Sequence, residues 1–315
     1  MKTKGQSGSE SRKPSPLNSS ELKSITRDPE SWKRLWLQAK ECSPVNRRER
    51  RGKGAELERW NVRAAGYTRH GESEGSQGRR EQILTWLEQA GAFRPGCRVL
   101  DIGAGPGNFA IPMARKAAEV VVVEPAREMV RILEQRVESS AIKNIRILPK
   151  TWEEVNPGAE GWEGAFDLAF ASMSPGVANP DMLEKMVCTS RAFCYLSGWS
   201  GDRWGPWGLA QRDLWPLVFG EELGDYPSDI LYPFGLLYAQ GYRPELRFVH
   251  SLIDLEMDVE EAAAGLVDHF NRYVEVGSSV REIITAYVHR NSRQGVFRQT
   301  ATACQGFMLW PVGRD

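Results

Sequence analysis

Residues 99–109 read Val-Leu-Asp-Ile-Gly-Ala-Gly-Pro-Gly-Asn-Phe, and this stretch decides the fold. A short apolar run that ends in an acid and then passes through three alternating glycines is typical of a β-strand followed by a tight loop. Glycine lets the backbone of such a loop come close to a bound ligand, because no side chain stands in the way. The stretch therefore predicts a strand and a ligand-binding loop.

A second strand follows a short alanine-rich helix. Val120 to Val123 are four consecutive valines, and such a strand fits a parallel sheet that is covered by helices on both faces. Glu124 stands at the end of this strand, roughly 20 residues after Asp101, a spacing at which mononucleotide folds place the acid that binds ribose hydroxyls. We therefore expect a ligand that carries a ribose.

The spacing of the glycines argues against a dinucleotide. A dinucleotide loop reads G-x-G-x-x-G, whereas Gly107 here comes one position early and Asn108 occupies the place of the third glycine. Asp101 precedes Gly103 by two residues, where a carboxylate would repel a pyrophosphate but could hold a cationic amino group.

The pattern Asp-x-Gly-x-Gly-x-Gly, with an acid at the tip of the next strand, resembles the S-adenosylmethionine (AdoMet) site of class I methyltransferases of the small-molecule group. The resemblance is specific from about Trp60 to Pro175. It implies AdoMet as the cofactor, with Asp101 and the glycine backbone at the methionine part and Glu124 at the ribose. The cofactor-binding residues expected on this basis are Tyr67, Asp101, Gly103, Ala104, Gly105, Gly107, Asn108, Glu124, Pro125, Met129, Trp152, Glu153, Ala171 and Ser172.

The same resemblance implies an α/β fold of the doubly wound, Rossmann-like type. We expect a mostly parallel seven-stranded sheet with an antiparallel last strand, an N-terminal helical flap and helical insertions in the C-terminal half. The later strands are predicted at 145–148, 192–196, 245–251 and 297–312, and residues 166–175 are predicted to hold the fourth strand and its exit loop. The expected parts are a flexible tail and short helix (1–55), flap helices (56–92), a cofactor-binding core (93–200), an aromatic-rich lid (201–243), and C-terminal strands and helices (244–315), with 56–315 forming one methyltransferase domain.

Two segments of the chain allow two interpretations each. Trp60, Ala64 and Tyr67 share one helix face, and W-x-x-x-A-x-x-Y resembles the segment that folds over the cofactor in many small-molecule methyltransferases. Tyr67 is then a cofactor or substrate contact; otherwise it is an anchoring aromatic. Trp152 and Glu153 follow the third strand, where the family contacts adenine, but the same residues fit a plain helix start with acids at its N-terminus.

The region from Trp199 to Tyr242 is unusually rich in aromatic residues. An aromatic lid there would exclude water and could hold an apolar, aromatic or cationic acceptor. Trp199, Trp204 and Trp207 are the acceptor contacts expected from this region, although ordinary helix packing explains many of its rings equally well.

Composition narrows the class of partner and compartment. The chain has 41 acidic and 41 basic residues, and this balance gives no reason to expect nucleic acid as a partner. The basic run Arg47–Lys53 fits either a polyanion contact or a solvated linker. Five scattered cysteines indicate reduced thiols in a cytoplasmic protein, no His or Cys spacing predicts a metal site, and no apolar run is long enough for a membrane span.

Methyl transfer from a sulfonium mainly requires alignment of the acceptor and exclusion of water, so a general base is optional. His70, three residues after Tyr67, is the one histidine that we retain as a possible base. Ser172 to Gly176 lack the N/D-P-P-Y/F/W motif of adenine amino methylation, and no cysteine follows a proline as in cytosine methylation. We expect a small-molecule acceptor; a protein or RNA methyltransferase and a non-catalytic AdoMet-binding subunit are the alternatives, and the oligomeric state stays open.

Overall fold

The computed structural model describes residues 27–49, 53–71, 73–201, 207–224 and 228–313 of the 315-residue chain. Most of the predicted N-terminal tail and Trp204 lie outside the described residues, as does the side chain of His70. Within the described part of the chain, no helix combines the length and the apolar character needed to cross a membrane.

A mostly parallel β-sheet forms the centre of the described structure. Its strands are β1 (Arg98–Ile102), β2 (Glu119–Val123), β3 (Ile145–Leu148), β4 (Phe166–Ser172), β5 (Ser190–Ser200), β6 (Glu245–Asp258), β7 (Ser292–Arg293) and β8 (Val296–Pro311). The order is β3-β2-β1-β4-β5-β8-β6, with the two-residue β7 paired to β8. Strands β1 to β5 are parallel, and β8 is antiparallel to both β5 and β6. The predicted fold class is confirmed, and β7 is an addition to it.

Helices cover both faces of this sheet. Those in the first half are α1 (Pro29–Cys42), α2 (Pro44–Arg48), α3 (Lys53–Gly71), α4 (Glu74–Gln89), α5 (Ala110–Ala114), α6 (Arg127–Ser139) and α7 (Pro157–Glu160), with a 3₁₀ turn at Trp152–Glu154. The second half adds α8 (Pro180–Thr189), α9 (Gly208–Phe219), α10 (Leu231–Ala239), α11 (Val259–Phe270) and α12 (Ser278–Arg290).

The valine strand shows why the sheet is covered on both sides. Val121 and Val123 belong to the hydrophobic cluster on one face, and Val120 and Val122 to the cluster on the other. All four are at most 1% exposed, because successive side chains of a strand point to opposite faces. Four apolar residues without alternation therefore require helices above and below the sheet.

The strand β6 is longer than the sequence predicted. It was expected at 245–251, but it continues to Asp258 in an antiparallel ladder with β8. Ile253, Leu255 and Met257 alternate with acids in this extension, which is a strand pattern with one apolar face. Since β5 pairs with β8 only as far as Cys304, the outer parts of β6 and β8 form an antiparallel ribbon beyond the sheet, and the short β7 pairs with the start of β8.

The ribbon is covered by a third group of buried side chains, which we call the C-terminal cluster. It brings together α9, α11, α12 and the start of β8. Its buried members are Ala210, Leu214, Trp215, Ala262, Leu266, Phe270, Tyr273, Ile284, Tyr287, Val288 and Phe297. The inserted helices of the C-terminal half thus have a hydrophobic core of their own.

Helices α1 and α3 both pack against the sheet domain. Asp28 caps α1, whose Trp32 lies against Gly235 of α10 so closely that a Cβ there would be 2.4 Å from the indole. Further along, Ala64 of α3 packs on Ala126 and Met129 at the start of α6. This second contact places the predicted flap beside the end of β2.

Candidate active site

The loop after β1 has the conformation that its glycines predict. Gly103, Gly105 and Gly107 have φ angles of +72°, +56° and +83°, which side chains rarely allow. A Cβ on Gly103 would lie 2.1 Å from the Ser174 hydroxyl, and one on Gly107 would lie 2.3 Å from a methyl group of Leu133. The backbone of the loop therefore depends on glycine for both its conformation and its close packing.

Glu124 fastens this loop to the end of β2. Its carboxylate accepts hydrogen bonds from the backbone N–H groups of Gly105 and Ala126, both at 2.9 Å. Burial raises the pKa of Glu124, while the two N–H donors act in the opposite direction. A carboxylate offers about four lone-pair sites, and these two N–H groups occupy two of them.

Asp101 is the most unusual group of the site. It is 2% exposed, and its Oδ2 has no hydrogen-bond partner among the described residues. Burial raises its pKa to about 8, and the nearby charge of Glu124 raises it as well. A buried carboxyl group without a partner is costly for a protein, which indicates a place where a ligand supplies the missing donor.

The other side of the loop is held by Arg136 of α6. Its Nη1 donates to the carbonyl of Pro106 at 2.7 Å and to Oδ1 of Asn108 at 2.9 Å. The end of α3 closes on the same residue, since a Cβ on Gly71 would lie 2.3 Å from Nδ2 of Asn108. The flap therefore meets the glycine loop through a residue without a side chain.

The end of β4 forms another wall. Met173 follows this strand with φ of +52°, and its N–H donates to the hydroxyl of Ser197 on β5 at 3.0 Å. The hydroxyls of Ser172 and Ser197 are 3.2 Å apart. These bonds fix the direction in which the chain leaves β4.

A cavity of about 270 Å³ lies between the glycine loop, α3, α4, the ends of β4 and β5, and the middle part of β8. Eight of the predicted site residues line it: Tyr67, Asp101, Gly103, Ala104, Gly105, Asn108, Ser172 and Trp199. Nine further lining residues were not predicted: Gly71, Ser76, Arg79, Arg80, Ile83, Phe109, Met173, Gln305 and Phe307.

One of these unpredicted groups carries a signal in the sequence. Ser76, Arg79, Arg80 and Ile83 follow the i, i+3, i+4, i+7 spacing of one helix face. That face is mainly polar, whereas Trp86 and Leu87 of the same helix are buried in the core. A polar stripe on a helix that precedes a ligand-binding loop would have identified them.

Five predicted residues lie around the cavity without lining it: Gly107, Glu124, Pro125, Met129 and Ala171. Trp152 is 2% exposed in the hydrophobic core, and its indole N–H donates to the carbonyl of Met182. The alternative interpretation of that segment therefore describes its local structure, including a capping box formed by Thr151 and Glu154. The contact of Glu153 with adenine stays a prediction. Because the side chain of Trp152 is buried, a contact of this residue with adenine would have to use its backbone.

The prediction for Trp207 needs a correction. Trp207 packs against the C-terminal cluster, where a Cβ on Gly265 would lie 2.5 Å from its ring. The ring centroids of Trp207 and Phe297 are 6.5 Å apart. In the described parts of the predicted lid, 207–224 and 228–243, no residue lines the cavity. The apolar face of α9 is instead occupied by α12 and α11.

The comparisons with known proteins agree with this geometry. Residues 99–192 match the family described as "Methyltransferase domain", which covers the glycine loop and strands β1 to β4. This part of the chain is a class I methyltransferase domain, and AdoMet is the cofactor of that class. The buried carboxyl group of Asp101, whose Oδ2 has no partner in the described structure, and the glycine loop beside it fit the amino group and the methionine chain of such a cofactor.

Individual relatives are more distant. A protein of Haemophilus influenzae carrying no functional name is 26% identical over 156 residues, 49% of this chain and 53% of its own. The 23S rRNA (uracil(1939)-C(5))-methyltransferase RlmD of Pseudomonas entomophila is 33% identical over 135 residues, 42% of this chain and 28% of its own. The chain thus spans about half or less of the length of these relatives. Among solved structures, the YcgJ protein of Bacillus subtilis is 16% identical with a TM-score of 0.47, covering 75% of this chain and 99% of that one.

Proposed function

We propose that this protein transfers the methyl group of AdoMet to a small-molecule acceptor. The observation that carries the proposal is the buried carboxyl group of Asp101, which has one unpartnered oxygen and lines the cavity beside the glycine loop. In the class I arrangement this group meets the cationic amino group of the methionine part. An ammonium donor would satisfy the oxygen and neutralise its charge.

The remaining binding roles follow from the surroundings of the loop. Glu124 has acceptor positions left for the ribose hydroxyls, and Tyr67 of the flap lines the cavity across from the loop. Burial raises the pKa of the Tyr67 hydroxyl, and the charge of Glu124 raises it further, so this group stays a neutral hydrogen-bond donor at physiological pH. AdoMet would supply an activated methyl group on a sulfonium sulfur.

The acceptor side of the cavity is built by strands β5 and β8. Trp199, Gln305 and Phe307 line it there, and none of the described lining residues is a histidine. The chain's contribution to the reaction is then mainly orientation of the acceptor and exclusion of water.

Calorimetric titration with AdoMet tests the proposal. We expect Asp101→Asn to weaken AdoMet binding at least tenfold, because the amide removes the negative charge that faces the ammonium group. Below about pH 8 the wild-type protein should also release a proton on binding, since the ammonium favours the ionised carboxylate. Buffers with different ionisation enthalpies measure that proton.

The matched control ligand is 5′-methylthioadenosine, which has no amino-acid part. It should bind wild type and Asp101→Asn equally well and release no proton. Equal AdoMet affinity in the two proteins would contradict the assignment of Asp101. Tight AdoMet binding without transfer of labelled methyl to a small-molecule extract would instead favour the non-catalytic alternative.

A macromolecular acceptor is the second candidate, because the RlmD relative is named for methylation of 23S rRNA. The described part of the basic run offers little to a polyanion, however. Arg47 and Arg48 pair with Glu221, and Arg48 also lies over the ring of Phe219 at 4.4 Å. A steep decrease of activity with salt would favour RNA, and an activity that is insensitive to salt would favour the small molecule.

A further inference from the structure

The cavity contains a cation that the binding of AdoMet does not require. Arg79 of α4 lines the cavity, and its Nη1 donates to Oε1 of Gln305 on β8 at 3.1 Å. No carboxylate in the described ranges forms an ion pair with Arg79. Its guanidinium has five N–H donors, of which the amide of Gln305 takes one.

Arg79 is anchored far from Asp101. In the sheet, Asp101 is level with Phe170, Tyr195 and Leu309 on the three strands that follow it in space. Three strand spacings amount to roughly 14 Å, and Gln305 lies four residues beyond Leu309, which adds roughly 13 Å along β8. The backbone at Gln305 is therefore roughly 19 Å from that of Asp101.

This separation bears on the ligand of Arg79. The amino and carboxylate groups of AdoMet are attached to the same carbon atom, so a carboxylate close to the amine at Asp101 does not reach the Gln305 end of the cavity. Arg80 is better placed for the loop end, because its Nη1 donates to the carbonyl of Gly71 at 3.2 Å, next to Asn108. Arg79 instead contacts Gln305, which pairs with Trp199 of β5 and precedes Phe307 by two residues. We assign this end of the cavity to the acceptor.

We propose that Arg79, oriented by Gln305, binds an anionic oxygen group of the acceptor, a carboxylate or a phosphate. This inference rests on the proposed methyl transfer and adds the chemical class of the substrate. A guanidinium matches both groups through two parallel N–H···O bonds. Trp199 and Phe307 provide apolar surface for the carbon part of the same molecule. A cationic acceptor, one of the classes expected from the aromatic residues, is repelled by Arg79.

Binding of charge-matched pairs of probes tests the inference. The full chain, saturated with S-adenosylhomocysteine, is titrated with benzoate against benzamide, and with phenyl phosphate against phenol. We expect at least one anion to bind tenfold or more tightly than its neutral partner, and the pair that shows the preference identifies carboxylate or phosphate. Arg79→Met should abolish the preference, and Arg79→Lys should retain part of it, since a lysine keeps the charge without the fork.

The controls separate this inference from the proposed function. Arg131→Met removes a surface arginine that pairs with Glu128 on α6, and it should leave the preference unchanged. Melting temperatures verify that each variant is folded, and the AdoMet affinity of Arg79→Met should stay within twofold of wild type. The inference is overturned if the wild-type protein binds anions and their neutral partners equally well, or if Arg79→Met loses affinity for AdoMet. In both cases the wild-type protein still binds AdoMet, so the proposed function is unaffected. A wild-type protein that binds no AdoMet overturns the proposed function itself.

Discussion

At the scale of single residues, Asp101 combines a cost in stability with a use in binding. Its carboxyl group is buried, one oxygen has no partner in the described structure, and its pKa is raised to about 8. Asp167, near the start of the neighbouring strand β4, shows the contrast. Its burial would raise the pKa, but Arg191 and the N–H of Arg98 bind the carboxylate and hold the pKa below the usual value. Both carboxylate oxygens of Asp167 accept hydrogen bonds from the protein, whereas Oδ2 of Asp101 has no partner in the described structure.

This contrast predicts a pH-dependent cost of Asp101. Between about pH 4 and pH 8 the folded protein keeps a proton on Asp101 that the unfolded chain has lost, so the free energy of unfolding falls as the pH rises. Asp101→Asn removes this dependence. Without ligand, we expect the variant to melt about 2–5 °C above wild type at pH 8 and to lose that advantage near pH 5.

Thermal unfolding followed by circular dichroism across this pH range measures the effect. Asp167→Asn is the control with the opposite sign, because it removes a carboxylate that arginines already bind. It should be destabilised at pH 8. A difference in melting temperature between wild type and Asp101→Asn that stays the same at every pH would contradict the raised pKa of Asp101.

At the scale of elements, Gly66 and Gly71 of α3 have different surroundings. Gly71 faces the Asn108 amide, where a Cβ would be only 2.3 Å away, whereas Gly66 has no atom within 4 Å of a Cβ position. Gly66→Ala should therefore stabilise the protein by about 0.5–1 kcal/mol, because alanine favours the helix. Gly71→Ala should push the flap away from the loop and weaken AdoMet binding several-fold.

The two variants form a matched pair on one helix. Calorimetry gives the AdoMet affinity, and hydrogen exchange reports how firmly α3 is held. A Gly71→Ala protein with unchanged affinity and unchanged exchange in α3 would show that the flap does not depend on this close approach. Gly66→Ala should leave the affinity as it is, since its side chain enters open space.

At the scale of the whole molecule, Trp199 and Trp207 belong to different parts of the structure. Trp199 lines the cavity, whereas Trp207 packs on Gly265 and Phe297. We expect Trp207→Ala to cost about 2–4 kcal/mol of stability through the space it leaves, without changing AdoMet affinity. Trp199→Ala should leave stability closer to wild type and raise the KM for the acceptor.

Urea unfolding and steady-state kinetics on both variants check this division. A Trp207→Ala protein that is fully stable but has a raised KM would restore the original lid prediction for this residue. A Trp199→Ala protein with unaltered kinetics would remove Trp199 from the acceptor end.

The sequence predicted what adjacent residues determine. The glycine loop, its two acids and the five parallel strands are encoded within short stretches, and the predicted residues Asp101, Gly105 and Asn108 line one cavity. Contacts between distant segments were not accessible in the same way. Arg79 and Gln305 meet because β8 inserts beside β5, and nothing local to either residue indicates that pairing.

Aromatic composition was equally ambiguous. A tryptophan buries a large apolar surface whether its neighbour is a ligand or another helix, so the sequence around Trp199 and Trp207 could not distinguish the two roles. The structure separates them by the position of their partners. Trp199 pairs with Gln305 at the end of the sheet, and Trp207 meets helix α11 through Gly265.

The continuous strand β8 has a consequence for how the two halves of the protein move. Phe297, near its start, lies in the C-terminal cluster, and Phe307, ten residues later, lies at the acceptor end of the cavity. Because one strand connects the two places, a displacement at one end of β8 should be transmitted to the other. We therefore expect an acceptor bound near Phe307 to reduce the fluctuations of helices α11 and α12, although none of their residues lines the cavity.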